Sequence, residues 1–155
     1  MALAQNTRKW LLMQGFACDA DSGAVAELQP WLRVTPGLST LWILVGTALQ
    51  SPAALWAFSL IAALGALSPY HLFDVVFNQV MRRVVEAPPL PPNPAPRRFA
   101  MGAAAVWSAI AGALFAADHA LAGLLAGLSL GMAGLTVTLS HFCLGSWIFR
   151  RLTRT

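Results

Sequence analysis

Polar and apolar positions divide the chain into two long charge-free stretches set among charged segments. From Val34 to Phe73 there is no Asp, Glu, Lys or Arg, and from Phe99 to Phe149 the single such residue is Asp118. Apolar stretches of roughly 18 residues or more are read as transmembrane helices, because in lipid the backbone polar groups must be paired within the segment. The first stretch is long enough for two spans, near 34–50 and 52–70, with Gln50-Ser51-Pro52 as the turn. Ser51 suits the N-cap and Pro52 the first helical position, where a missing N–H costs nothing. The second stretch splits at Asp118 into spans at 100–117 and 120–140, with Asp118 placed to cap the latter.

The segments between are amphipathic or irregular. Residues 8–17 read as a short helix with Trp10, Met13 and Phe16 or Ala17 toward lipid, and Asp19 to Gly23 as a loop. Ser68-Pro69 repeats the cap-plus-proline signal. In the run "YHLFDVVFNQVMRRVV" that follows, Phe73, Phe77, Val80 and Val84 share one helical face and Asp74, Asn78 and Arg82 another. That pattern predicts a helix at the membrane surface or a kinked continuation of the second span. "EAPPLPPNPAPRR" then has six prolines between Pro88 and Pro96, a density that favours a stiff polyproline II spacer.

The expected fold is therefore an all-α membrane protein with four transmembrane helices in two hairpins, a cytoplasmic interfacial helix and a Pro-rich linker. Its parts are an N-terminal segment (1–33), hairpin 1 (34–70), interfacial helix and linker (71–98), hairpin 2 (99–140) and a basic tail (141–155).

Composition agrees with the pattern: 57% of residues are hydrophobic and 10% charged, against about 25% charged in globular chains. Charge adds orientation. Arg8, Lys9, Arg33, Arg82, Arg83, Arg97, Arg98, Arg150, Arg151 and Arg154 all fall on one side of an even number of spans. The positive-inside rule makes that side, and both termini, cytoplasmic in a multi-pass protein of the bacterial inner membrane. The basic balance then reports topology and contact with anionic lipids, and no separate basic domain exists to carry nucleic acid. Arg8-Lys9, Trp10-Leu11-Leu12 and Cys18 have the order of a lipoprotein signal, but Gln14-Gly15 break the apolar stretch early.

Candidate chemistry is sparse. Four-residue spacing of Gly123, Gly127 and Gly131, and of Ser108, Gly112 and Ala116, marks helix faces that permit close packing, within the chain or against another subunit. The spans hold no ionised residue of the kind transporters retain, and their hydroxyls are expected to bond carbonyls of their own helices. His71 and His141 end the second and fourth spans, where they are candidates for a cofactor site, against the alternative of interfacial residues bonded to water or backbone. No zinc spacing is present and no cofactor is specified. Trp31, Trp147, Asp74, Arg82 and Arg150 are expected at the interface. Cys18 and Cys143 face a reducing compartment and are expected to stay unpaired. Cys143 is placed near a helix C-terminus, where the dipole disfavours thiolate, with Arg150 two turns on acting in the opposite sense.

The ending "FCLGSWIF", with Ser68-Pro69, the basic proline segment, "RRFA" at 97–100 and the Gly/Ala-rich last span, resembles the bacterial membrane family called domain of unknown function 4395, over about 28–150. The resemblance implies a small four-helix membrane protein and no established activity. That family often ends in Cys-x-Gly-Cys; Cys143 and Gly145 match, while Ser146 replaces the second cysteine. Two functions follow as expectations. One is a non-catalytic accessory or scaffold subunit docked on a larger membrane complex, respiratory or photosynthetic, or on itself. The other is a thiol-dependent redox module using Cys143, His141 and Cys18.

Overall fold

The computed structural model describes residues 5–16 and 27–153. Among these the chain is helical and has no strand: α1 (Gln5–Met13), α2 (Val34–Ala48), α3 (Pro52–Leu67), α4 (Leu72–Val84), α5 (Ala95–Ala116), α6 (Ala120–Ser140) and α7 (Leu144–Thr153). Ala17, Cys18, the expected 19–23 loop and Arg154 lie outside the described residues.

Helices α5 and α6 are long and apolar enough to cross a membrane, and α3 with α4 makes a third candidate if their bend of 76° is taken within one span. The other expected span, α2, has 15 residues, roughly 22 Å at 1.5 Å per residue, short of a bilayer core of about 30 Å. The chain is thus a helical protein with two or three helices suited to crossing a membrane.

The four long helices close a ring in which α3 packs on α5, α5 on α6, α6 on α2 and α2 on α3. At the first turn Ser51 accepts from the Ala54 N–H with Pro52 in the opening helical turn, as expected. At the second, Asp118 does not cap α6. It adopts φ 59° in the turn, a left-handed geometry that Asp tolerates, and His119 holds the cap position without a side-chain bond.

Tryptophans and serines stitch the ring. Ser108 Oγ donates to the Leu55 carbonyl (2.8 Å), Ser59 Oγ to that of Ala105 (2.8 Å), and Trp107 Nε1 to that of Ala126 (3.0 Å). Two of these hydroxyls therefore bridge helices instead of bonding their own, as Thr40 and Thr136 do. The glycine face of α6 packs inside the chain: Gly127 meets Thr47 and Gly131 meets Leu44, both on α2, while Gly123 meets Phe115. Ser108 and Gly112 are buried against α3, at Leu55 and Trp56, and Ala116 is exposed.

The segments expected at the membrane surface turn inward instead. Leu11 and Phe16 of the N-terminal arm, Leu32, Phe77 of α4 and Leu90 of the proline segment form one buried cluster. The polar face of α4 looks the same in sequence whether it meets water or buried partners, and here it meets partners. Asp74 is 2% exposed, whereas Val80 and Val84 are exposed. Ser68 does not begin this helix; His71 does, accepting from the Phe73 N–H while Asp74 accepts from the His71 N–H. The proline segment is more than a spacer: Asn78 brackets Leu90 with two hydrogen bonds, and Asn93 is buried. Helix α5 starts within it at Ala95, because Pro96 is compatible with a first turn.

Candidate functional site

One end of the ring, where α2 begins, α3 ends, α5 begins and α6 ends, collects basic side chains, and Arg98 and Arg150 among them are used as caps. Arg98 donates to the carbonyls of Ala66 and Leu67 at the end of α3. Arg150, expected at the interface beside Cys143, instead donates to Met13 and Leu12 at the end of α1, both at 2.6 Å. Arg82 donates to the Asn78 carbonyl. Cations at helix C-termini satisfy orphan carbonyls and complement the dipole.

Beneath this rim lies a buried polar layer. Asp74 accepts from Thr35 Oγ1 (2.5 Å), the His71 N–H (3.0 Å) and Asn93 Nδ2 (2.5 Å), joining α2, the start of α4 and the proline segment. His141 has φ 59° at the end of α6, the left-handed cap that glycine usually supplies. Its carbonyl accepts from Gln14 Nε2 (2.6 Å), and its Nε2 lies 2.9 Å from Arg33 Nε and 3.0 Å from Gln29 Nε2. An arginine can only donate, so His141 is the acceptor and neutral.

Burial first, then Arg33 and Arg97, push the His141 pKa down to about 4. The folded state therefore excludes a proton that the unfolded chain takes up below about 6.5. The contribution of this site is complete above pH 6.5 and is lost progressively as pH falls toward 4. Purified protein should melt at a lower temperature at pH 4.5 than at pH 7, and His141→Gln should flatten that dependence. An identical pH slope in the variant would refute the assignment.

The two histidines expected to hold a cofactor are each engaged in hydrogen bonds within the chain. Both rings are buried, but His141 Nε2 is occupied by Arg33, and His71 Nδ1 accepts from Phe73. Among the described residues no group of three or more His, Cys, Asp or Glu is placed to hold a metal. Cys143 also differs from expectation. The left-handed His141 ends α6 at Ser140, and the Trp147 N–H bonds the Cys143 carbonyl (3.0 Å) to open α7. Cys143 thus stands at the start of a helix, where the end-of-helix field has the opposite sign to that expected. Gly145 follows because α7 crosses α5 closely, a Cβ there falling 2.6 Å from Ala100 Cβ. Ser146 is fully buried with its Oγ unpartnered. Trp31 is half-buried against Phe77 (5.4 Å), and Trp147 is exposed under Arg151.

Between the helices at this end is a cavity of about 440 Å³. Gln14, Thr35, His71, Arg97 and Cys143 line one end, and Phe58, Ala62, Leu130 and Val137 contribute to the apolar remainder. Arg97 is 7% exposed, and unlike Arg33, Arg82, Arg98 and Arg150 it makes no hydrogen bond or ion pair among the described residues. Its guanidinium stacks on the Phe16 ring at 5.3 Å. Sequence reasoning counted Arg97 as one more topological charge. The expected span began at Ala100, which left Arg97 in the linker, whereas the helix begins at Ala95 and places Arg97 inside its first turn.

These features define a small helical protein, two or three of whose helices could cross a membrane, with a polar-headed cavity at the basic end of its ring. Residues 29–154 match the family described as domain of unknown function (DUF4395), and the chain belongs to that family. No curated relative and no solved structure matches it.

Proposed function

We propose that the protein is a non-catalytic accessory component of the bacterial inner membrane that receives an amphipathic molecule in its basic-end cavity. The observation that carries this reading is the cavity itself, apolar along most of its length with Arg97, His71 and Gln14 at one end. Its volume falls within the range of about 300–1,000 Å³ typical of small-ligand sites. Four crossings are part of the proposal, supported by the packing of α2 and α3 along the longer α6 and α5. Exposed Leu41, Leu60 and Leu64 leave apolar surface for lipid and for docking on a larger complex or a second copy.

A second reading, thiol chemistry at Cys143, is favoured by the place of that residue on the cavity wall. One preparation tests both. Organic extraction of protein purified in mild detergent should release an amphiphile in roughly stoichiometric amount, and a partner subunit should co-purify. An extract without amphiphile would sink the first reading. Rapid reaction of Cys143 with a thiol reagent and a visible redox change on oxidation would establish the second in its place.

Orientation is tested separately. On a background lacking Cys18 and Cys143, single cysteines at the exposed positions Gln50 and His119 should react with an impermeant reagent added to spheroplasts. One at the exposed Arg83 should not. Labelling at Arg83 would reverse the orientation, which rests on the positive-inside rule.

A further inference from the structure

We infer that the molecule held in this cavity is a single-chain amphiphile with an anionic oxygen head, a carboxylate or phosphate, gripped by Arg97. The inference rests on the binding role proposed above and specifies its ligand. A buried charge without a partner is costly, and proteins keep one where something else completes it. The obvious internal partner is already engaged: Asp74 spends its oxygens on Thr35, the His71 N–H and Asn93. Thr35 has its single hydroxyl proton committed to Asp74, and Gln14 donates to the His141 carbonyl. Arg33 is engaged with His141, which is neutral. Among the described residues, Arg33 and Arg97 against Asp74 leave this layer with one positive charge in excess.

The Arg97 fork suits a planar carboxylate or a phosphate, which it meets with paired hydrogen bonds. His71 adds a second donor. Its Nδ1 accepts from the Phe73 N–H, which puts the ring proton on Nε2, and the residue lines the same wall. Beyond this head site the cavity continues along α5 from Arg97 to Trp107. Ten residues of helix cover roughly 15 Å, a depth for one medium-length apolar chain. The distant wall has Phe58, Ala62 and Leu130, with no charge to receive a second polar end.

The test uses full-length protein in nanodiscs of zwitterionic lipid at pH 7.5, with laurate, dodecyl phosphate and dodecanol as probes. Ligand that binds only the folded state raises its melting temperature. Laurate, dodecyl phosphate or both should raise it by several degrees, the larger shift identifying the head group, and dodecanol should not. Arg97→Gln should lose the shift, read against its own unliganded melting temperature. If that variant does not fold, the wild-type comparison of laurate with dodecanol still decides. An equal shift with dodecanol, or an undiminished anion shift in Arg97→Gln, would overturn the anionic head and leave an amphiphile site standing. No shift with any of the three probes would overturn the binding role as well.

Discussion

Gly127→Leu is expected to prevent the ring from closing, whereas Leu128→Ala, one residue on, is expected to be silent. A Cβ at Gly127 would fall 2.6 Å from Thr47 Cγ2 and closer still to Thr47 Oγ1. Contacts that short exist only between atoms that then move, and neither side can move alone. Thr47 is buried near the tight turn into α3, and Gly131 on the same face of α6 already seats Leu44. Ordinary overpacking costs about 1–3 kcal/mol. A leucine here adds three further carbons to a site closed to the first, so the expected loss exceeds that range. Leu128 is 48% exposed and its removal opens no cavity. Expression level and a detergent melting curve for the two variants check the contrast. Equal tolerance would mean that the α2–α6 contact does not form in the bilayer.

The contrast between these neighbours also marks what is legible in such a sequence. Four-residue glycine spacing announces a close approach, and Ser51-Pro52 announces a helix start, because both are local requirements of backbone geometry. The partner of a face is not local. Nothing in the spacing of Gly123, Gly127 and Gly131 distinguishes an internal helix from another subunit; α2 answers that only once the ring is closed. The same limit governs the polar residues. Asp74, Asn78 and Arg82 fall on one face of α4 by arithmetic, but water and a buried hydrogen-bond donor demand the same residue types. Thr35, 39 residues earlier, and Asn93, 19 later, decide between them.

Cys143 and Arg97 show two further ways in which the site escapes a linear reading. A three-residue break at His141 converts the expected end of one helix into the beginning of the next, and only a histidine held at φ 59° by three side chains reveals it. Arg97 stands in a proline-rich basic segment, where any arginine is accounted for by topology. Its distinction is that it makes no hydrogen bond or ion pair among the described residues, which a linear reading cannot show.

Asp74→Ala is expected to produce the second large loss, and to do so without touching a helix-packing face. The carboxylate is 2% exposed and takes hydrogen bonds from Thr35, the His71 N–H and Asn93, so one side chain ties α2, the α3–α4 bend and the proline segment together. Alanine leaves three buried donors unpaired, and an unsatisfied buried group costs about 1–3 kcal/mol. It also removes the one negative charge of a layer containing Arg33 and Arg97, and breaking a buried charge cluster of this kind costs about 3–5 kcal/mol. Asp74→Asn keeps the shape and one acceptor but turns an amide toward groups that are themselves donors, so an intermediate loss is expected. The order wild type, Asn, Ala in denaturant midpoint or melting temperature is the measurable result. Because His71 and the start of α5 hang from the same carboxylate, limited proteolysis should cut first within the proline segment around Pro91 and Pro92 in the alanine variant. A variant with wild-type stability and an uncut segment would show that Asp74 does not anchor the basic end, and that the layer beneath the cavity is held by other contacts.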